Sequence, residues 1–105
     1  MSTLYISEYS AVVNLGSLSG GGMIHPQAPQ EPAPVEQFVA ISGSSTQSAA
    51  FGSSTSFIRV NCDAICSLLF GPSPTAVTTA KRLAANQTEF FGVFAGQKLA
   101  VIANV

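Results

Sequence analysis

Thr55-Ser56-Phe57-Ile58-Arg59-Val60-Asn61-Cys62 is the stretch on which the fold turns. In an extended chain Ile58, Val60 and Cys62 point to one side and Phe57, Arg59 and Asn61 to the other, because successive side chains of a strand alternate between faces. One side is apolar and the other mixed, the signature of a strand with one face on a core. Reading on, Asp63-Ala64 has turn chemistry, and Ile65 to Phe70 returns with Cys66, Leu68 and Phe70 continuing the inner face. The expectation is a hairpin. Gly71-Pro72-Ser73-Pro74 then ends that strand, since prolines cannot donate to a central ladder.

The same punctuation recurs towards both ends. Downstream, Thr75 to Thr79 reads as a loop or one helical turn, Ala80 to Ala85 as a weak strand anchored by Leu83, and Asn86-Gln87 as a turn. Thr88 to Val93 and Lys98 to Val105 read as strands around the turn Phe94-Ala95-Gly96-Gln97. Upstream, Val35, Gln37, Val39 and Ile41 alternate with Glu36, Phe38 and Ala40; Gly43 to Thr46 is a turn, and Ser48 to Gly52 a short strand candidate. The opening Thr3 to Tyr9 places Leu4, Ile6 and Glu8 on one face and Tyr5 and Tyr9 on the other. Short strands spaced by Gly, Pro or Asn, with no apolar helical stripe, predict an all-β fold. The expected architecture is a small antiparallel β-sandwich or jelly-roll-like barrel of seven to eight short strands with an extended arm.

At 105 residues the chain makes a single domain. It divides into a first strand over 3–12, an extended Pro/Gly-rich arm over 14–36 and a strand-rich core over 37–105. The arm holds Gly20-Gly21-Gly22 and then Pro26, Pro29, Pro32 and Pro34, which favour extended backbone without ladder donors. So long a segment in a small domain is either a linker or a functional element. Leu15, Leu18, Met23 and Ile24 would be stranded on a pure spacer, so the expectation is an arm that fastens the protein to a neighbouring subunit.

Only nine side chains, 9%, are charged, against about 25% in ordinary soluble domains. Four Lys and Arg provide no stripe with which to neutralise phosphates, so nucleic acid is not an expected partner. No run approaches the ~20 apolar residues of a membrane-spanning helix. Met1 to Ser10 carries Glu8 and no Lys or Arg, unlike a secretory signal, so the expectation is cytosolic synthesis with reduced thiols. A chain with so few charges and so much Ser, Thr and Ala suits a symmetric assembly, since monomers keep charged surfaces to avoid sticking.

Catalytic chemistry is thinly supplied. His25 sits beside Pro26 with no orienting partner in sequence. Gly16 to Gly22 lacks the Lys-Ser/Thr that closes a phosphate loop. Asp63 and Glu89, the one pair of carboxylates worth weighing, fall at strand ends or turns where capping is the commoner role. Cys62 and Cys66 read as two small buried hydrophobes, with a disulfide or half of a metal site as the alternatives. Phe90 and Phe91 are adjacent, so one must leave the core face; it is either covered or marks an interface. No catalytic, cofactor-binding or metal-binding residue is expected.

Three quoted stretches carry a likeness. Phe57-Ile58-Arg59-Val60 followed by Ala64-Ile65-Cys66-Ser67-Leu68-Leu69-Phe70-Gly71-Pro72-Ser73-Pro74-Thr75-Ala76, the closing Leu83 to Val93 with Gly96 to Ile102, and the opening Leu4-Tyr5-Ile6-Ser7-Glu8-Tyr9 resemble small virion proteins of tailed bacteriophages. The likeness covers roughly 3–12 and 55–103 and skips the arm. It implies a non-enzymatic capsid decoration or cement protein, or a minor head or tail component. It further implies assembly in the host cytoplasm, a final hairpin, and the major capsid protein or other virion proteins as partners. The other class of function open to such a domain is a β-sandwich that binds a sugar or peptide on a phage tail or cell surface. Such sites favour exposed Trp or Tyr, whereas here Trp is absent and both tyrosines lie in the first strand.

Overall fold

The computed structural model describes residues 2–14 and 27–104. These form two four-stranded antiparallel sheets and one two-stranded ribbon, with no helix among the described residues. The strands are β1 (Ser2–Tyr9), β2 (Val12–Asn14), β3 (Gln27–Pro29), β4 (Val35–Ile41), β5 (Thr46–Gln47), β6 (Phe57–Cys62), β7 (Cys66–Gly71), β8 (Lys81–Leu83), β9 (Thr88–Gly92) and β10 (Lys98–Ala103). The first sheet runs β4-β1-β6-β9 and the second β5-β10-β7-β8. The expected small β-sandwich is what the chain adopts.

Side-chain alternation decides which face each strand buries. Leu4 and Ile6 of β1, Val39 and Ile41 of β4, and Ile58, Val60 and Cys62 of β6 form the inner face of the first sheet. Cys66 and Leu68 of β7, Leu83 of β8, and Leu99 and Val101 of β10 meet them from the second. Phe51 joins from the loop before β6, and Phe70, Phe91 and Val93 pack at the margin. Full burial of each Leu, Ile or Val stabilises the fold by about 1.5–3 kcal/mol. This single layer is therefore the main source of stability.

The described residues correct several expectations about connectivity. Asp63 to Ile65 is not a hairpin turn: β6 lies in the first sheet and β7 in the second. Both edges of β6 are taken by β1 and β9, and both edges of β7 by β10 and β8, so the chain crosses the core instead of folding back beside itself. The same holds for the expected final hairpin. β9 pairs with β6 while β10 pairs with β7 and β5, so Phe94 to Gln97 is also a crossing.

Ser48 to Gly52 forms no strand; the chain is regular only over Thr46–Gln47. After that it peels away to bond Leu99 and side chains of the first sheet. The first strand stops at Tyr9, and Val12–Asn14 begins a new one. Part of the arm is itself regular: Gln27–Pro29 pairs antiparallel with Val12–Asn14, with Pro29 opposite Val12. In a two-stranded ribbon every strand has a free edge, and there a proline costs little. Val35 and Glu36, at the end of the arm, already belong to β4. The expected anchors Leu15, Leu18, Met23 and Ile24 lie outside the described residues.

One charged group shares the inner side of β1. Glu8 is 1% exposed, and its carboxylate is fully engaged. Oε1 accepts from the Gly52 amide at 2.9 Å and the Thr55 hydroxyl at 2.7 Å, while Oε2 accepts from Gln37 Nε2 at 2.9 Å. Gln37 in turn accepts from the Ala49 amide at 3.0 Å. The carboxylate thus clamps the 49–55 loop to β1 and β4. Gly52 is needed for the close approach: a Cβ there would sit 3.3 Å from the Thr55 hydroxyl and 3.7 Å from Glu8 Oε1. Removing one partner of such a buried cluster leaves the others unsatisfied. Glu8→Ala is expected to lower the unfolding free energy by about 3 kcal/mol, read from the urea midpoint at constant m-value. A loss under about 1 kcal/mol would show that the clamp contributes little.

Candidate functional site

The two outer faces of the sandwich differ. The outer face of the second sheet is partly covered by the chain's own 72–80 segment, which leaves Leu69 39% exposed. Gln47 Nε2 donates to the Pro74 carbonyl at 2.7 Å, the Ala76 amide to Ser45 Oγ at 2.8 Å, and Asn104 Nδ2 to both Ser67 Oγ and the Thr78 carbonyl at 2.7 and 2.9 Å. Ser67 is buried beneath it, and Ala76 of the segment is itself buried. Among the described residues no such segment covers the outer face of the first sheet over most of its width.

Strand register lays that open face out in rows. One row across the sheet reads Phe38, Tyr5, Asn61, Thr88 and the next Glu36, Ser7, Arg59, Phe90. Phe38 is 77% exposed, and Tyr5 and Phe90 are each 51% exposed. Ser7 Oγ donates to Glu36 Oε1 at 3.3 Å, and Asn61 Nδ2 to Thr88 Oγ1 at 2.9 Å. Aromatic rings with one Arg, one Glu and small polar residues between them match the make-up of a protein–protein interface, which is enriched in Phe, Tyr and Arg and poor in Lys. Of the two adjacent phenylalanines, Phe90 faces out here. Phe91 turns in to pack on Phe70, with ring centroids 5.1 Å apart, and Lys81 Nζ lies 5.5 Å from its ring.

At one end of this face the third row, Tyr9 and Phe57, is covered. The rings stack at 5.3 Å with an interplanar angle of 18°, and the Tyr9 hydroxyl donates to Glu31 Oε2 at 2.6 Å. Burial, and then the facing Glu31 carboxylate, push the Tyr9 hydroxyl above its ordinary pKa of 10.0. Beside it a cleft of about 210 Å³ is lined by Ser10, Ala11, Gln30, Glu31, Pro32 and Pro34. This is below the ~300–1,000 Å³ of sites that enclose a small molecule, so the open face is the better candidate.

The residues weighed from sequence are not brought into one site. Asp63 accepts from the Thr3 amide at 2.7 Å, a capping role, whereas Glu89 sits opposite Val60 and accepts from Gln87 Nε2 at 2.8 Å. His25 lies outside the described residues. Among the described residues no three His, Cys, Asp or Glu side chains cluster to hold a metal ion. Cys62 and Cys66 are free thiols buried in the core, and Cys62 Sγ lies 3.0 Å from the Ala84 carbonyl. Sequence reasoning missed Glu8, although its parity with Leu4 and Ile6 was in plain view; its partners, Gln37, Gly52 and Thr55, are scattered over the next 47 positions. Comparison with family models, with curated proteins and with solved structures found no match for this chain.

Burial, and then the neighbouring Cys62, push the Cys66 thiol up from 9.0 to about 12. The pKa is higher in the folded chain than in the unfolded one, so the thiol's contribution to stability is complete below about pH 9 and is lost as pH climbs towards 12. The urea midpoint is therefore expected to fall above pH 9, and Cys66→Ala to make that fall shallower. Tyr9 titrates in the same direction, so the difference between the two slopes isolates the thiol. Because both thiols are fully buried and a reagent must reach the sulfur to react, native protein at about pH 8 is expected to leave Ellman's reagent unreacted until urea unfolds it. Fast reaction of either thiol in the folded state would contradict this.

Proposed function

We propose that this chain is a non-enzymatic structural component of a bacteriophage virion, a decoration or cement protein that binds and stabilises the lattice of the major capsid protein. The observation that carries the reading is the contrast between the two outer faces. One is partly covered by the chain itself, while the other displays Phe38, Tyr5 and Phe90 beside two charged groups, Glu36 and Arg59. Exposed aromatics on a face this poor in charge are a liability for a free monomer and an asset for a subunit pressed against a lattice. The likeness of the three quoted stretches to small virion proteins points the same way. A lattice partner bound here contributes apolar area and main-chain bonds more than ion pairs.

The test is occupancy on heads of the encoding phage stripped of this protein. Purified chain is expected to co-sediment with them, and the occupancy to change little between ~50 and ~200 mM salt, because few exposed charges are available to be screened. Phe38→Ser combined with Tyr5→Ser is expected to lower the affinity roughly tenfold or more, as loss of aromatic anchors does at interface centres. Unchanged occupancy of the double variant, or collapse of binding across that salt range, would overturn the proposed mode of contact. No binding to the heads at all would overturn the virion reading.

A further inference from the structure

The first sheet ends in β4 and β9 and the second in β5 and β8. An uncovered edge is a template for another strand, and proteins normally blunt it with shortness, charge, proline or a covering loop. Three of these four edges are blunted. β5 is two residues long; β8 is three and carries Lys81 and Arg82. β4 carries the charge of Glu36 among its outward residues, and the 49–55 loop lies against its inner side through the bonds between the Gln37 side chain and Ala49. β9, Thr88–Gly92, is five residues long with no proline, Lys or Arg.

The ladder to β6 fixes which peptide groups of β9 are free. Val93 N bonds Ser56 O and Cys62 N bonds Gln87 O, at 3.0 and 3.4 Å. Bonded pairs of an antiparallel ladder recur at every second residue, so Glu89 and Phe91 turn their peptide groups towards β6. Thr88, Phe90 and Gly92 turn theirs outward. Their side chains are exposed as well, and a Cβ built on Gly92 meets nothing within 4 Å.

We propose that β9 is the seam of a twofold-symmetric dimer, paired antiparallel with β9 of a second copy. Symmetry restricts the register. Centring it on Phe90 sets Phe90 against its own counterpart and Thr88 against Gly92, which satisfies all three outward residues; any shift leaves some unpaired. The same register sets Glu89 opposite Phe91 of the second copy. Lys81 Nζ already lies 5.5 Å from the Phe91 ring in each chain, so Glu89 meets Lys81 of the second copy, once on each side of the axis. The pairing is self-complementary in charge as well as in hydrogen bonds. It brings the two half-exposed Phe90 rings together on the outer face and joins the two first sheets into one of eight strands.

Sedimentation equilibrium of the full chain tests this. Wild type is expected to be a dimer, and Glu89→Lys and Lys81→Glu each to raise the dimer dissociation constant roughly tenfold or more through like-charge contacts at both ends of the seam. The double variant E89K/K81E, which restores the opposite pairing, is expected to return to within about threefold of wild type. Thr88→Pro removes an outward N–H at the first residue of the strand, a position that tolerates proline, together with the exposed hydroxyl that accepts from Asn61 Nδ2, a solvent-facing bond whose loss costs little. It is expected to keep the melting curve and lose the dimer, so the question stays answerable if a charge variant fails to fold. A wild type that remains monomeric at about 200 µM, or a Thr88→Pro dimer as tight as wild type, would overturn the seam. Single variants that dissociate without rescue by the double would overturn this register.

Discussion

The three residues Asp63-Ala64-Ile65 carry the chain from one sheet to the other, and the rest of the molecule depends on what that short crossing imposes. It holds the end of β6 and the start of β7 on opposite walls of the core, close enough that the Cys62 thiol perturbs that of Cys66. With the walls set a fixed distance apart at this point, the inner faces of both strands must interdigitate along their length, Ile58 and Val60 on one side and Leu68 on the other. Asp63 secures the crossing by accepting from the Thr3 amide, which ties it to the neighbouring strand. The hydrophobic layer supplies most of the free energy; the crossing determines where that layer lies.

Much of this was legible in the sequence, because strand parity is a local property. The alternation of Leu4, Ile6, Val39, Ile41, Ile58, Val60, Cys66 and Leu68 identified core positions without knowledge of partners. What parity cannot reveal is which sheet a strand joins. Asp63-Ala64 has hairpin chemistry, and only the occupancy of both edges of β6 and β7 forbids a hairpin there. β3 was hidden because prolines argue against a ladder in general, and the exception at a free edge depends on a partner strand some fifteen residues earlier. The open face was half legible: Phe38 and Tyr5 were placed opposite the core residues, but their cross-strand adjacency follows from register alone.

Two design features act against each other on the first sheet. The Glu8 clamp, with its buried carboxylate and a glycine fitted against it, closes one flank of the sandwich by joining the 49–55 loop to β4. The opposite flank, at β9, has no comparable device, and its outward residues are neutral. The surface that the chain covers with its own loop lies on the second sheet, while the aromatic rows lie on the first. Specific closure in one place and specific openness in another is the pattern of a subunit whose contacts are divided between itself and its neighbours.

The places that the first and last strands of the chain take in the sheets also govern the order of events during synthesis. β1 and β10 lie near opposite ends of the chain, yet each is an interior strand, flanked by β4 and β6 in one case and by β5 and β7 in the other. β1 is made before its partners, and its apolar side must wait, unpaired, until β4 begins 26 residues after β1 ends. In the second sheet β5 has no partner, and β7 only β8, until Lys98–Ala103 has emerged to sit between β5 and β7. The first sheet can therefore assemble strand by strand, but the sandwich is completed only when the last strand is made. Closure of the sandwich belongs to the slow regime of topologies dominated by long loop closures, and until β4 is made the nascent chain exposes β1 unpaired to its surroundings.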